Sequence, residues 1–213
     1  MAKFYYDILN KDRKNILHLL RYFKKEFYLA GGTGLALQIG HRDSADFDFF
    51  IKGDFSTVDL FKKIKTLFAG YNIKKTQEDK DTLSVSVGGN IKLSFFTYKY
   101  KLINHIISDS NLNIASILDI GCMKLAAITG RATEKDYIDL YFIIKKTGLE
   151  KLLRAAEKKF PDINVNLFLK SIVYFKDLAE EPIIFKNNNK VTLAMVKAFL
   201  QNEVGRYGRK WLG

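Results

Sequence analysis

The segment that most constrains the fold spans residues 27–50 and reads FYLAGGTGLALQIGHRDSADFDFF. Apolar runs at its two ends predict strands at 27–30 and 46–51. Residues 35–39 predict a short helix that is entered through a Gly-Gly turn and left through an Arg-x-Ser turn. This order of elements, strand, turn, helix, turn and strand, predicts an α+β fold.

Two aspartates on the second predicted strand form the first candidate site. Successive side chains of a strand point to opposite faces, so Asp46 and Asp48 share one face while Phe47, Phe49 and Ile51 take the other. At about 6–7 Å, the repulsion between two carboxylates costs about 0.6 kcal/mol in water and about 2–3 kcal/mol at an effective dielectric constant near 20. A divalent cation such as Mg²⁺ or Mn²⁺ removes that cost. The alternative is the solvated face of a half-buried strand that holds no ligand.

The glycines before the short helix are the second candidate site. Gly31, Gly32 and Thr33 follow the first predicted strand directly. Tight glycines allow backbone N–H groups to approach a phosphate, and the helix that follows offers the positive end of its dipole. The alternative is a turn without a ligand. The segment lacks a Gly-Lys-Ser/Thr ending, which excludes a Walker P-loop.

The rest of the first half predicts two amphipathic helices and a hairpin. The helices span residues 9–26 and 57–68, and Ser56 or Thr57 caps the second one. Its inner face is predicted to carry Val58, Phe61, Ile64 and Leu67 or Phe68. Gly88-Gly89-Asn90 separates two apolar runs, at 82–87 and 91–98, which indicates a β-hairpin. From Ser116 onward the pattern is almost entirely helical.

The motifs, taken in order, resemble the AbiEii/AbiGii toxin family of nucleotidyltransferases, within the DNA polymerase β-like superfamily. The resemblance covers roughly residues 25–145. Its motifs are Gly31-Gly32-Thr33, the run Arg42-Asp43-Ser44-Ala45-Asp46-Phe47-Asp48, Lys124 on a predicted helix, and Lys135-Asp136-Tyr137-Ile138-Asp139. It implies an α+β fold: a polymerase β-like core with a mixed sheet and flanking helices over residues 1–113. A helical C-terminal domain over 114–213 would contribute to the active-site cleft.

The resemblance also implies an activity: metal-dependent transfer of a nucleoside monophosphate from an NTP to a hydroxyl acceptor. Related toxins imply RNA, tRNA among it, as the acceptor and a cognate antitoxin as protein partner. Asp46 and Asp48 would bind Mg²⁺ (or Mn²⁺), and Gly31, Gly32 and Thr33 would hold the triphosphate. The groups expected to neutralise phosphate charge are Arg42, Ser44, Lys124 and Arg131.

One position departs from the superfamily pattern. A third carboxylate commonly stands on a later strand beside the metal pair, and Ser94 occupies that place here. We therefore expect the base that deprotonates the acceptor to be Asp136 or Asp139. Asp136 has an alternative role in the cap that Thr133 forms for the helix. Capping does not explain Asp139, so its replacement by Asn is expected to leave stability unchanged.

Two other side chains have structural alternatives. Lys124 shares a predicted apolar helix face with Ile120 and Ile128, so it either faces a cleft or extends its ammonium group to solvent. Tyr98 and Tyr100 lie near lysines, where they would stack on bases or pack in the core.

Composition narrows the partners. The formal net charge of +12 attracts polyanions such as nucleic acid, although dispersed lysines also describe an ordinary solvated surface. A lone cysteine, Cys122, fits a core position in a cytoplasmic protein without disulfides. We expect no signal peptide and no membrane span. His41 and His105 do not have the spacing of zinc ligands with Cys122.

Two rival functions stay open. Because of Ser94, the chain could be a catalytically inactive nucleotide-binding module of the same fold. Alternatively, the acceptor could be a small molecule or a protein side chain.

Overall fold

The structure, a computed structural model, describes residues 4–176, 178–179 and 181–211. Its strands are β1 (Tyr28–Leu29), β2 (Phe47–Ile51), β3 (Ile73–Asp79), β4 (Thr82–Val87), β5 (Ile91–Thr97), β6 (Ile107–Ser108) and β7 (Asn113–Ile114). Its α-helices are α1 (Lys11–Leu20), α2 (Gly31–Ile39), α3 (Thr57–Leu67), α4 (Ile117–Gly130), α5 (Glu134–Thr147), α6 (Leu149–Lys159), α7 (Val165–Ile172) and α8 (Leu193–Trp211).

The strands form one mixed sheet, as the resemblance implies, and their order in it is β3-β4-β5-β2-β1-β7-β6. Strand β2 lies at its centre, antiparallel to β1 and parallel to β5. The parallel register pairs Asp48 with Ser94 and Phe50 with Phe96. These four side chains therefore lie on the same face of the sheet, because the register aligns alternate positions of both strands.

The central motif forms as predicted, with shifts of a few residues at its boundaries. Helix α2 begins at Gly31 instead of residue 35, so the Gly-Gly pair lies in its first turn. Gly31 has φ +62°, a conformation that favours glycine because it has no Cβ. Strand β2 begins at Phe47, and Asp46 stands immediately before it.

Helix α3 confirms its predicted cap and corrects its predicted inner face. The Ser56 hydroxyl accepts a hydrogen bond from the Asp59 amide at 3.2 Å. Val58 is wrong as an inner residue, since it is 56% exposed. Ile64 and Phe68 are buried as predicted, and Leu60, which was not predicted, is buried as well.

Three strands were not predicted. Strand β3 extends the hairpin of β4 and β5 at one edge of the sheet, and its largely exposed polar sequence hides the usual alternation. Strands β6 and β7 have two residues each, too few for a pattern. The predicted domain boundary at 113/114 falls inside β7, which pairs with β1 at the other side of the sheet.

The helical half packs directly on the sheet half. Helix α4 contacts α2 in the first half and α5, α6 and α7 in the second. One continuous hydrophobic core includes Leu29 of β1, Leu125 of α4 and Leu200 of α8. In the part of the chain that the structure describes, no helix combines the length and apolarity needed to cross a membrane.

Candidate active site

Asp46 and Asp48 lie where β2 begins, next to the N-terminus of α2. Burial, followed by the negative charge of Asp46, raises the pKa of Asp48 to about 6. A Cβ added to Gly31 would approach Oδ2 of Asp48 to 2.6 Å. The glycine therefore lets the first turn of α2 lie directly against the carboxylate.

Thr33 and Gly32 organise the same turn in different ways. The buried Thr33 hydroxyl donates a hydrogen bond to the backbone carbonyl of Asp46, which ties α2 to the start of β2. A Cβ on Gly32 would come within 2.6 Å of Nη2 of Arg42 and 2.9 Å of Oγ of Ser44. Arg42 and Ser44 thus lie beside the glycine turn. The Thr33 side chain is committed to the backbone, so only its amide remains to meet a phosphate.

Asp139 is the centre of a buried charge network. Its carboxylate accepts two hydrogen bonds from Arg42, through Nε and Nη2, both at 2.8 Å. Lys124 lies 2.7 Å from its Oδ2, and Nε2 of His41 lies 2.8 Å from its Oδ1. Burial alone would raise the pKa of Asp139, but Lys124 and Arg42 hold it well below the usual value. Asp139 is fully buried and does not line either cleft described below.

His41 completes the network as a neutral group. Its ring is buried, and burial lowers its pKa despite the opposing effect of Asp139. Its Nδ1 has no hydrogen-bond partner among the described residues. The imidazole therefore donates its Nε2 proton to Asp139 and adds no charge to a site that already holds Arg42 and Lys124.

Asp136 differs from Asp139 because it reaches the clefts. Its Oδ1 accepts from Lys124 at 2.6 Å and its Oδ2 accepts from the Thr133 hydroxyl at 3.0 Å. Thr133 also caps α5 by accepting from the Asp136 amide at 3.3 Å. The capping interaction and the lysine contact are thus both present. Lys124 is 9% exposed and paired with two acids, so its ammonium group does not extend to bulk solvent.

Two clefts meet at the aspartates. The first, of about 390 Å³, is called the polar cleft, and the second, of about 560 Å³, the aromatic slot. Both include Gly32, Asp46, Asp48, Lys124, Arg131 and Asp136. The polar cleft adds Arg13, Arg42, Asp43, Ser44, Ala45, Thr133, Lys135, Glu181, Pro182 and Ile184. The aromatic slot adds Gly31, Phe50, Lys92, Ser94, Phe96, Tyr98, Ile120, Met123, Ala126 and Ala127.

The polar cleft has a charge balance that a cation would change. Its lining carries five cationic side chains, Arg13, Arg42, Lys124, Arg131 and Lys135. It also carries five acids, Asp43, Asp46, Asp48, Asp136 and Glu181. A divalent ion on Asp46 and Asp48 would make the balance positive and favour a polyphosphate.

The carboxylate pair suits a metal that is completed by substrate. Among the residues that the structure describes, no group of three or more His, Cys, Asp or Glu side chains is placed to hold a metal ion. Two carboxylates with a raised pKa on one of them indicate a site where a cation relieves repulsion. Mg²⁺ commonly takes one or two carboxylates and fills its remaining positions with water and phosphate oxygens.

Ser94 occupies the position next to Asp48 on β5. It is buried, and its Oγ accepts a hydrogen bond from Ser84 on β4 at 3.1 Å. A pair of neutral hydroxyls therefore stands where the superfamily commonly has a third carboxylate.

Two parts of the site were missed by the sequence analysis. Arg13 is buried, lines the polar cleft and lies 2.7 Å from Asp43. The sequence did contain a signal that Arg13 is buried. The arginine lies on the apolar face of α1 that also carries Ile16, Leu17 and Leu20.

The second missed part is an irregular segment between α7 and α8, residues 178–179 and 181–186, here called the strap. Ile184 accepts a hydrogen bond from the Asp43 amide at 2.8 Å, and the Lys186 amide donates to His41 at 3.0 Å. At its other end, the Ala179 amide donates to Ala132 at 3.0 Å. The strap therefore joins the two halves of the chain along the polar cleft. The side chain of Asn187, directly after the strap, also donates to the Gly40 carbonyl at 3.0 Å, and Ile183 and Phe185 pack against the core. The strap has no regular helix or strand, so these contacts leave no periodic pattern in the sequence.

The matching family model is described as "Nucleotidyl transferase AbiEii toxin, Type IV TA system" and covers residues 19–204. An uncharacterized protein of Aquifex aeolicus (strain VF5), aq_aa25, is 40% identical over 162 residues, which are 73% of this chain and 77% of that protein.

Two solved structures share the fold. MenT4, the nucleotidyltransferase toxin Rv2826c from Mycobacterium tuberculosis H37Rv, matches with a TM-score of 0.61 and 16% identity over 90% of this chain and 80% of its own. JHP933 from Helicobacter pylori matches with a TM-score of 0.58 and 20% identity, over 96% and 93% of the two chains. The fold and the family model agree over most of the sequence, and the chain belongs to the AbiEii family of nucleotidyltransferase toxins.

Proposed function

We propose that this nucleotidyltransferase uses Mg²⁺ to move a nucleoside monophosphate from an NTP to a hydroxyl group of RNA. The observation that carries the proposal is the position of Asp46 and Asp48, which lie against the glycine-rich start of α2 and open into two clefts at once. One cleft can hold the donor and the other the acceptor, with the reacting phosphorus between them.

The polar cleft suits the donor. Backbone amides at Gly31, Gly32 and Thr33 form the positive end of α2, where phosphate oxygens bind well, and Gly32 brings this end of the helix to the wall of the polar cleft. Arg42 and Ser44 lie beside Gly32, and Arg131 forms no ion pair with any residue that the structure describes. Arg131 is therefore the cation most ready to meet a phosphate, while Arg42 acts from within the network of Asp139.

Asp46 and Asp48 would hold the Mg²⁺, which supplies charge neutralisation at the α-phosphate and the leaving pyrophosphate. The acceptor hydroxyl oxygen forms a new bond to the α-phosphorus. The bond between that phosphorus and the α–β bridging oxygen breaks, and pyrophosphate leaves with the electron pair. We assign Asp136 as the general base that accepts the proton of the acceptor hydroxyl, because Asp136 lines both clefts and Asp139 is enclosed.

The acceptor and the partner are also proposals. A net charge of +12 favours RNA over a neutral or cationic acceptor. Membership of a toxin family supports a cognate antitoxin that blocks the protein in the cytoplasm.

The test is transfer of label. Purified protein is incubated with each of the four α-³²P-labelled NTPs, Mg²⁺ and total RNA, and the products are separated by size. We expect label in RNA, its loss when EDTA replaces Mg²⁺, and its loss in Asp46→Asn. Lys62→Ala, an exposed substitution on α3 that keeps the glycine turn and both clefts intact, is the matched control and should transfer normally.

A second candidate is a nucleotide-binding module without transfer activity, which the neutral Ser84–Ser94 pair favours. It predicts Mg²⁺-dependent NTP binding with no label in any acceptor. A third outcome, label in a small molecule or a protein band, would keep the chemistry and replace RNA as the acceptor.

A further inference from the structure

The aromatic slot lies between the sheet and helix α4. Phe50, Phe96 and Tyr98 line it on the sheet side. Helix α4 contributes Ile120, Met123, Ala126 and Ala127. The two walls are apolar, and the two alanines keep the slot open where a larger side chain would fill it. A volume of about 560 Å³ is within the range of sites for small organic groups.

The sheet wall begins close to the metal-binding aspartates. Phe50 and Phe96 are register partners, and their rings stack with centroids 5.3 Å apart and planes 28° apart. Each stands two residues after Asp48 or Ser94 on the same face of its strand. Two residues of strand span about 7 Å. That distance is similar to the separation of a ribose hydroxyl from the base on the same sugar.

The slot also differs from the polar cleft in what it can bind. Its inner walls offer planar rings and methyl groups, which suit a flat heterocycle through stacking. Its charged residues lie toward the shared aspartates, where Lys124 and Arg131 are found, and at the exposed Lys92 on β5. The slot also carries Asp46, Asp48 and Asp136, and Lys124 is paired with two carboxylates. The exposed Lys92 and Arg131 are therefore the cations placed to meet the phosphate backbone to which a base is attached.

We propose that the aromatic slot holds the unpaired terminal base of a single-stranded nucleic-acid acceptor and so places the hydroxyl of that nucleotide beside Asp48. This proposal rests on the proposed function, in which the reaction is nucleotide transfer to a hydroxyl group of RNA. The slot proposal adds the requirement that the acceptor has an unpaired end. A base that is paired and stacked at the end of a duplex cannot enter the slot without leaving its partner. Phe96, Phe50 and the alanines of α4 thereby become residues that select the acceptor.

The test compares two RNA hairpins with the same stem and a fluorescein label in the loop. One hairpin is blunt, and the other carries a four-nucleotide 3′ overhang. Anisotropy in Mg²⁺ without NTP should show at least tenfold tighter binding of the overhang by the full-length protein. Salt concentration is fixed, since phosphate contacts alone depend strongly on it.

Two variants change the slot in different ways. Ala126→Leu adds volume to the wall of α4 and should remove the preference for the overhang. Phe96→Leu keeps an apolar side chain but removes the ring, and it should weaken overhang binding about tenfold. Ala198→Leu on α8 adds the same volume at an exposed position and should keep the preference. Thermal unfolding checks that each variant is folded.

The outcomes separate this inference from the proposed function. Equal binding of the two hairpins by the wild-type protein overturns the slot proposal, even where labelled NTP is transferred. Weaker NTP binding in Ala126→Leu with an intact preference for the overhang also overturns it, because the slot would then hold the base of the donor. A clear overhang preference that both slot variants lose supports the proposal, even if the wild-type protein fails to transfer label.

Discussion

Asp139 on α5 holds Arg42 through two parallel hydrogen bonds of 2.8 Å, and this pair connects the turn before β2 to the helical half of the chain. Paired guanidinium and carboxylate groups in this geometry fix orientation as well as charge. Arg42 in turn packs against Gly32, where an added Cβ would lie 2.6 Å from Nη2. Asp139 therefore shapes the glycine turn from behind the site, without lining a cleft.

The first prediction concerns Asp139→Asn. The variant removes the negative charge that balances the buried cations Arg42 and Lys124. Breaking a comparable buried ion pair costs about 3–5 kcal/mol of stability. We expect a large loss of unfolding free energy in urea at pH 7. Asp136→Asn is the matched control, and it should cost less because Asp136 lies at the edge of the clefts.

The pH dependence of that loss has a defined sign. The pKa of Asp139 is lowered in the folded protein, so its carboxylate adds stability above the unfolded pKa of about 3.9. This contribution disappears as the pH falls below 3.9 and through the folded pKa. The stability gap between wild type and Asp139→Asn should therefore narrow below about pH 4. A gap that is the same at pH 7 and pH 3 would contradict the assignment.

Asp139 also shows what sequence alone can and cannot predict. The family resemblance implied that Lys124, Asp136 and Asp139 belong to one site, but it left the two acids as alternatives for one role. Both acids are buried, but Asp136 lines both clefts, whereas Asp139 lines neither and pairs with Arg42. The expectation that Asp139→Asn leaves stability unchanged is thus reversed. Partners that lie 97 residues apart depend on the packing of α5 against the turn after α2, which no local pattern records.

The second prediction concerns Lys124→Met. Because Lys124 lies on an apolar helix face, the sequence alone predicts that methionine changes the free energy of unfolding by no more than about 1 kcal/mol. The structure changes this expectation, because Met would leave the carboxylates of Asp136 and Asp139 close together without the ammonium group between them. We expect a loss of several kcal/mol. The double variant Lys124→Met/Asp139→Asn should lose less than the sum of the single losses, as unfolding curves in a double-mutant cycle would show. Additive losses would argue against a direct pair.

The third prediction concerns Asp48→Asn in EDTA. The pKa of Asp48 is raised to about 6, so its charged form destabilises the metal-free protein above that pH. Wild-type stability should fall as the pH rises from about 4 to about 6, and the variant should lack this fall. At pH 8 we expect the variant to be more stable by up to about 3 kcal/mol, while the two should be equal near pH 4.

Mg²⁺ supplies the control for that experiment. It should raise the melting temperature of the wild-type protein at pH 8 and leave that of Asp48→Asn nearly unchanged, because the variant has lost one of two carboxylate ligands. Equal stabilisation of both proteins by Mg²⁺ would remove Asp48 from the metal site.

The fourth prediction concerns the glycine turn. Gly31→Ala places a Cβ 2.6 Å from Oδ2 of Asp48 at φ +62°, a conformation that L-residues rarely adopt. We expect at least a hundredfold loss of label transfer together with a lower melting temperature. Gly130→Ala, at the end of α4, has no atom within 4 Å of the added Cβ and should transfer at the wild-type rate. Normal transfer by Gly31→Ala would exclude a close approach of α2 to the reacting groups.

The last prediction concerns Ser94 and the source of the base. The Ser94 hydroxyl accepts from Ser84 and stands beside Asp48 in the register, but it is uncharged and poorly suited to take a proton. Ser94→Ala should therefore keep most transfer activity and cost about 1 kcal/mol of stability for the lost buried hydrogen bond. Asp136→Asn should slow transfer at least tenfold, with little change in NTP affinity. If Ser94→Ala abolishes transfer while Asp136→Asn retains it, Ser94 contacts the substrate or the metal directly, and Asp136 serves only the cap of α5 and its pairing with Lys124.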